Sequence, residues 1–589
     1  MSEFQQQLES ILVADCGRTA TKVVLLDMVS GQYRFVAFAE APSTIQKPWE
    51  DISVGVVDAI RQLETLTGRT FLDSDGQLVT PELGDGKGVD RFVAISSAAE
   101  PLRVILSGLV RDVSLSSARR AALSTYSTIV DVISLEQAPG QNGPRTEDAK
   151  INAIWHEVPD VVCVVGGTDG GAAAPVWDMV KNVVYVALYL MGEAAPPVIY
   201  AGNARLQDKV VQSLQELVPV QAVSNVRPFP DAENIGPAYE EMEVLFYEKK
   251  LGTMPGGEVL GGWTLAPILP TARAADYFVR FCERVWKSLQ PALGVDVGSA
   301  SVSLNVCWKG VPLTTIRTDL GVGVGLPGVL DQVDMDDILR WLPFSTSETQ
   351  VRDRLLNRSL RPYSIPQTRE DLLLEQAVAR EALRLTLRDS LPAWPNKNDD
   401  YPGMIPACQP IIASGRCLAR APGYGYAALM LLDALQPIGT STLYLDERNL
   451  VPSLGAAGII EPLVLVQGLR NDGLTYLGTV IVPLGPAKDW QSVLTIKPLD
   501  KESNINVEVT QGSVVAFPFE SLAPGTELEL IPSWGIDVGA GPGKRMTIRY
   551  DGGAVGLMVD ARGRPLDFGD GVQSRQQRVS RWLRAMAGT

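Results

Sequence analysis

Histidine is almost missing from this chain of 589 residues, where His156 stands alone. A histidine-rich metal centre is thereby excluded, and a Ser-His-Asp triad would rest on that one residue. Its setting in "AIWHEVPD", at the end of an expected helix, reads as structural. The six cysteines (Cys16, Cys163, Cys282, Cys307, Cys408 and Cys417) form no Cys-x-x-Cys and sit mostly among apolar neighbours. They read as buried thiols of a reducing compartment rather than a disulfide framework. Positive charge is also short: 52 Lys and Arg stand against 68 Asp and Glu, a net charge of −16. That balance argues against a nucleic-acid partner, because phosphate contacts need clustered basic side chains. No apolar run approaches the roughly 18 residues that span a bilayer. The first residues, "MSEFQQQLES", show no basic stretch followed by an apolar one. The expectation is a cytoplasmic protein without a transmembrane segment.

What is present is an ordinary globular balance, 46% hydrophobic and 20% charged. The length predicts two to four domains. Strands and helices alternate through the first 330 residues or so, the pattern of α/β layers. "WEDISVGVVDAIRQLETLTG" reads as an amphipathic helix and "TREDLLLEQAVAREALRLTLRD" as another, with Thr368 and Asp371 at capping-box spacing. Gly- and Pro-rich stretches at 251–270 and 391–410 read as long loops. After about residue 440 the texture changes to short strands and turns. The expected domains are therefore 1–290, 291–440, and a β-rich domain over 441–589. The last of these ends in a helix that carries Arg575, Arg578, Arg581 and Arg584 at three-residue spacing.

The stretch "VADCGRTATK" places Asp15 and Gly17 directly after an apolar strand, and "GVDVGSASVSLNVCWKG" repeats the arrangement with Asp296 and Gly298. In this alignment Ser299 matches Arg18, and Ser301 matches Thr21 or Thr19 depending on one slip. Two hairpins each headed by Asp-x-Gly suggest two related halves that face one ligand. Glycine lets the backbone approach closely and leaves amide hydrogens pointing at an anion, hydroxyls add donors, and a carboxylate holds the water shell of Mg²⁺. A third element, "QPIIASGRCLARAPGYGYAALMLLDAL", is a strand that ends in Ser414-Gly415 and opens toward a helix.

That ordered triple resembles the actin, sugar kinase and heat-shock chaperone ATPase superfamily, whose fold is a duplicated two-lobe, ribonuclease-H-like α/β core. Further stretches, "AISSAAEPLRVILSGLV", "SLSSARRAAL", "VVCVVGGTDGG", "VIYAGNARLQ", "SNVRPFP" and "VDVGSASVSL", resemble the glutamate mutase L family within it, over about residues 10 to 435. "GGAVGLMVDARGRPL" is similar to a carboxy-terminal signature of its longer members.

The resemblance implies ATP or ADP with Mg²⁺ as ligands. Asp15 and Asp296 would contact the metal through water and serve as the catalytic carboxylates. Gly17, Arg18, Thr19, Thr21 and Lys22 would line the first phosphate turn, Gly298, Ser299 and Ser301 the second, and Ser414, Gly415 and Arg416 the adenosine side. "GGTDGG" has two readings: a cleft element of Thr168, Asp169, Gly170 and Gly171, or a turn in which Asp169 caps the next helix. "IRTDLGVGVGLPG" (316–328) is either a moving cleft loop or a flexible surface turn.

The sequence departs from the family pattern at Ser303, where relatives carry a carboxylate, at Glu100-Pro101, and at Ser414, where relatives pair glycines. These departures bear on hydrolysis rather than on binding. Three functions follow. The first is an ATP-dependent accessory, chaperone or reactivation protein beside a cobalamin-dependent mutase. The second is an actin-like assembly or scaffold protein that self-associates. The third is a small-molecule kinase. The glycines of "DVGAGPGKRMTIRYDGG" (537–553) lack phosphate-loop spacing and read as a turn between strands.

Overall fold

The computed structural model describes residues 8–83, 86–136, 143–394, 402–500, 505–517 and 522–587. The chain forms two units, one within 1–98, 259–314 and 319–589, the other within 99–258 and 315–318. Residues 395–401 of the expected proline-rich loop lie outside the described residues.

The larger unit contains the same five-strand order twice. Ser10–Cys16, Ala20–Val29 and Gln32–Pro42 form an antiparallel meander, with Arg91–Ser96 parallel to the first strand and Leu269–Pro270 beyond it. In the second half Ala292–Val297, Val302–Trp308 and Val311–Arg317 form the meander, with Ile411–Ser414 and then Gly439–Leu445 parallel beside the first strand. Each half therefore runs third, second, first, fourth, fifth. This duplicated ribonuclease-H-like order is the actin-like ATPase fold. The first strand of each half is central and almost wholly apolar, as a strand covered on both faces must be.

Helix Thr271–Trp286 leaves the first half-sheet and helix Val451–Ile460 leaves the second. They cross so closely that a Cβ on Gly455 would stand 1.9 Å from the Ala274 carbonyl oxygen. Sequence texture placed short strands and turns between residue 440 and the terminal helix, but Val451–Ile460 and Pro462–Gly468 are helices. The two glycines of "LGAAG" weaken an isolated helix, and Gly455 instead permits this backbone-to-backbone packing. Residues 251–270 are likewise not all loop: Gly257–Trp263 is helical, with Leu260 fully buried beneath its glycines.

The β-rich carboxy-terminal region divides between two sheets. Thr475–Val482, Gly556–Asp560 and Val514–Phe517 extend the second half-sheet to eight strands, while Val507–Thr510, Ser492–Pro498, Thr526–Pro532 and Met546–Tyr550 form a four-stranded antiparallel sheet. Ile481, Leu557 and Val559 of the first set pack with Leu494, Leu528 and Leu530 of the second in one core. Residue 440 thus lies inside a strand of the second half, not at a linker. The terminal helix Val572–Met586 docks Val579, Trp582, Leu583 and Met586 into the core of the second half.

A buried ion network locks this region in place. Arg562 is wholly buried and donates to Asp560 Oδ1 at 2.7 Å and to Asp433 Oδ1 at 2.5 Å. Asp433 also accepts from Arg380 Nε at 2.6 Å, and Asp560 from Arg564 Nη2 at 2.9 Å. Burial would raise the Asp560 carboxyl, but Arg562 and Arg564 overcome it and hold the group well below the usual carboxylate range. The ring of Trp582 lies 4.8 Å from the Arg562 guanidinium.

The smaller unit carries five parallel strands in the spatial order Ser127–Ile133, Leu102–Ser107, Val161–Val164, Val198–Tyr200, Val220–Ala222. This is a doubly wound sheet, inserted in the chain between the fourth and fifth strands of the first half. Its order reverses between the strands Leu102–Ser107 and Val161–Val164, and "GGTDGG" follows the latter.

Removing one carboxylate of the buried network leaves guanidinium groups without compensation, a loss of about 3–5 kcal/mol. Asp433→Ala should therefore shift the urea unfolding midpoint of the second half sharply downward. A loss below about 1 kcal/mol would show that water or side-chain movement relieves the network.

Candidate functional site

The two Asp-x-Gly turns are built alike. Asp15 pairs across its hairpin with Lys22, and Asp296 with Ser303. The Gly17 amide donates to the Ala20 carbonyl at 2.9 Å, and the Gly298 amide to that of Ser301 at 2.9 Å. A Cβ on either glycine would meet the same carbonyl at 2.8 Å, so both turns require glycine. Ser301 is therefore the counterpart of Ala20, not of Thr19 or Thr21, and Lys22 corresponds to Ser303.

Each aspartate is the polar end of a buried strand, which fixes its position. Asp15 accepts from Thr271 Oγ1 at 3.1 Å. Burial lifts its pKa to about 6, against the lowering effects of the Thr271 hydrogen bond and the Lys22 charge. Asp296 lies in register with Ser414 on one side and Ser303 on the other. Burial, then the charges of Asp15 and Asp446, push Asp296 to about 7. The charge of Asp15 in the first half therefore acts on Asp296 in the second.

Asp446 is a member that sequence reasoning missed. It ends the strand Gly439–Leu445 and accepts from the Leu450 amide at 2.7 Å, the Val451 amide at 2.8 Å and Ser414 Oγ at 3.0 Å. Burial still outweighs these bonds and raises its pKa. The signal was present in "TLYLDERN": like Asp15 and Asp296, Asp446 follows an apolar strand, but no glycine follows it. Thr271, Arg448 and Asn449 had no comparable signal.

Lys22 is buried, with its ammonium donating to the Arg448 carbonyl and, at 3.0 Å, to the Asn449 carbonyl. Burial lowers its pKa to about 8 against the pull of Asp446 and Asp15. It is thus a fixed charge that ties the first hairpin to the second half. Thr21 faces the other way: its hydroxyl lies under Gly55 of the helix Ile52–Thr67, so it supports the turn from behind. Arg18 and Thr19 occupy the tip, where the Thr19 carbonyl accepts from the Ser43 amide.

The second turn is clamped. The Val324 amide donates to Ser299 Oγ at 3.2 Å, and the Gly323 and Gly325 amides donate to the Ser299 carbonyl at 3.0 and 2.9 Å. Cβ atoms on Gly321 or Gly323 would stand 2.3 Å from Ser299 atoms. The glycine-rich segment is not a free surface turn: its glycines permit close packing on Ser299 of the second turn.

On the third element, Gly415 has φ +107, and a Cβ there would meet the Val297 carbonyl at 2.3 Å. Its amide donates to Asn449 Oδ1 at 3.0 Å. Arg416 pairs with Glu40. Asp15, Asp296, Ser414, Gly415 and Lys22 all belong to the larger unit, whereas Thr168, Asp169, Gly170 and Gly171 belong to the smaller one. There Asp169 Oδ1 accepts from Asn225 Nδ2 at 2.9 Å and the Ala204 amide at 3.1 Å. It does not cap its own helix, Ala174–Met179, whose amino end has no side-chain cap. Among the described residues no three acidic, cysteine or histidine side chains converge as direct metal ligands.

The raised Asp296 carboxyl makes stability depend on pH. Its folded pKa of about 7 lies above the ordinary value of 3.8, so the folded state holds an extra proton between them and loses stability as pH rises through that window. Asp296→Asn should raise the unfolding free energy of the ligand-free protein by more than about 1 kcal/mol at pH 8. The gain should fade to nothing below pH about 4. A variant no more stable than wild type at pH 8 would refute this electrostatic reading.

The profile of the MutL protein family matches residues 11–471. Protein MutL of Clostridium tetanomorphum is 23% identical over 401 residues, which cover 64% of this chain and 78% of that protein. Nucleotide-free acetone carboxylase aligns over 86% of this chain and 81% of its own at 11% identity and a TM-score of 0.33. Component A of the (R)-2-hydroxyglutaryl-CoA dehydratase of Acidaminococcus fermentans aligns over 78% and 98% at 8% identity and a TM-score of 0.25. No helix among the described residues is long and apolar enough to cross a membrane. With its paired turns on a duplicated core and a family match over most of its length, the chain belongs to the MutL protein family, the glutamate mutase L family.

Proposed function

We propose that the protein binds Mg²⁺–ATP and Mg²⁺–ADP between its paired turns and acts as a nucleotide-dependent accessory protein for a partner enzyme. The observation that carries this reading is the pair of equivalent turns, each headed by an aspartate at the end of a buried strand, where burial and then the charges of Asp15 and Asp446 push the pKa of Asp296 up to about 7. Like charges held together in a partly buried site favour a hard cation, and carboxylates that make no direct metal cluster suit Mg²⁺ held through its water shell. Mg²⁺ would supply charge neutralisation at the phosphate oxygens.

The chain's own groups divide the remaining work. The Gly17, Arg18 and Thr19 amides and the Gly298 and Ser299 turn line the phosphate side, and Ser414 and Gly415 the adenosine side. Lys22 adds a fixed positive charge. Asp296 is the candidate to orient a water, with Ser303 beside it in place of a second carboxylate. Catalysis in such a site rests on positioning and electrostatics. Membership of the MutL family and the resemblance to glutamate mutase L support a cobalamin-dependent mutase as the partner. Ser303 also favours a second reading, an actin-like assembly protein with weak or no hydrolysis. Sedimentation that grows with concentration and depends on nucleotide would single it out.

Calorimetric titration with ATP and ADP in the presence of Mg²⁺ tests the site. Micromolar binding to wild type should fall at least about tenfold in Asp15→Asn, and affinity should rise between pH 6 and 8 as Asp15 and Asp296 ionise. Absence of binding to the wild-type protein would overturn the proposal.

A further inference from the structure

A cavity lies in the larger unit, away from the turns. It encloses about 600 Å³ and is lined in part by Arg340, Glu381, Arg384, Leu385, Arg388 and Met404. That volume falls within the range of small-molecule sites. Met404 precedes the strand Ile411–Ser414, whose far end carries Ser414, and Ala434 and Gln436 close the helix Tyr424–Leu435, whose other end follows Gly415. The cavity therefore sits at the opposite edge of the second half-sheet from the nucleotide turns.

Its chemistry is apolar walls with an unbalanced charge. Glu381 is nearly buried and engaged by Arg340 Nη2 at 2.6 Å, Trp341 Nε1 at 2.6 Å and Arg384 Nε at 3.6 Å. Asp337 is paired with Arg340 at 2.9 Å. Arg388, one turn beyond Arg384 on the same helix face, is exposed and has no ion pair among the described residues. Among the described residues that line the cavity, three guanidinium groups thus stand beside two carboxylates, an excess of one positive charge. Burial lowers the pKa of Arg384 and nearby Arg340 adds to that effect, against the pull of Glu381, Asp337 and Asp433. Leu385, Leu391 and Met404 supply the apolar surface.

We propose that this cavity binds a small organic monoanion, its carboxylate held by Arg384 and Arg388 and its apolar body packed against Leu385, Leu391 and Met404. Side chains four apart on a helix are neighbours, so the two guanidinium groups can share one carboxylate. A polyphosphate fits poorly, because Glu381 and Asp337 would repel its additional charges. This site is independent of the nucleotide reading, and its test uses no nucleotide.

The test is calorimetric titration of the full chain with straight-chain monocarboxylates from butanoate to decanoate, and with the matching primary alcohols. Binding should be saturable, tighten with chain length and exceed that of each alcohol. Arg388→Glu should weaken it about tenfold or more, as expected for loss of a charge-assisted contact. Arg388→Lys should retain most of it, and Val333→Trp, which fills the cavity from a partly exposed wall, should abolish it. Unchanged circular dichroism and thermal unfolding certify the fold of each variant; Arg388 is exposed, so its replacement leaves the core intact. No binding to wild type at about 10 mM, equal binding of acids and alcohols, or binding that survives Arg388→Glu or Val333→Trp in a folded protein would each overturn the proposal.

Discussion

Like charge gathered at the ends of buried strands is the constraint on which the larger unit depends. Asp15, Asp296 and Asp446 each end a strand whose preceding residues are in the core, so none can move away without pulling apolar side chains into water. Burial, then the charges of Asp15 and Asp446, raise the pKa of Asp296 to about 7. The surrounding architecture restrains these groups. Thr271 donates to Asp15, two backbone amides and Ser414 donate to Asp446, and Lys22 brings one buried positive charge. Because the carboxylates are held in place by the strands they end, little ordering of side chains remains to be done when a ligand binds there.

The two halves are not equal around that cluster. The first hairpin offers Lys22, buried and anchored on the carbonyls of Arg448 and Asn449, whereas the second offers Ser303 at the matching position. The second turn is also covered, because its Ser299 carbonyl and hydroxyl are engaged by the amides of residues 323–325. One turn is thus crossed by a fixed charge and the other braced from outside. The close crossing of helices Thr271–Trp286 and Val451–Ile460 joins the halves behind the carboxylates, with Gly455 against Ala274.

The carboxy-terminal region completes the second half. Strands after residue 475 continue its sheet, the terminal helix fills its core, and Arg562 enters between Asp433 and Asp560. A buried ion network of this kind adds little net stability over apolar packing, but it accepts only one arrangement of the chain. The cavity around Arg384 and Arg388 opens on helix Arg369–Ser390, which carries Arg380 of that network.

Local sequence determined the elements whose physics is local. The two Asp-x-Gly turns were legible because only glycine fits at Gly17 and Gly298, where a Cβ would stand 2.8 Å from a carbonyl oxygen, and the Thr368 cap because its hydroxyl accepts from the Asp371 amide three residues on. The duplicated core followed from the repetition of the strand-turn pattern. Tertiary structure alone decided the rest. Asp446 joined the cluster through parallel pairing of Gly439–Leu445 with Ile411–Ser414, a contact with no short-range signature. Thr21 turned toward a helix because its strand register put Lys22 on the opposite face. Gly455 of "LGAAG" became a helix crossing because Ala274 lies against it, and "LGVGVG" became a clamp because Ser299 lies against its glycines. Sequence specifies what a residue can do over a few neighbours; which distant backbone meets it is set by the packing of the whole sheet.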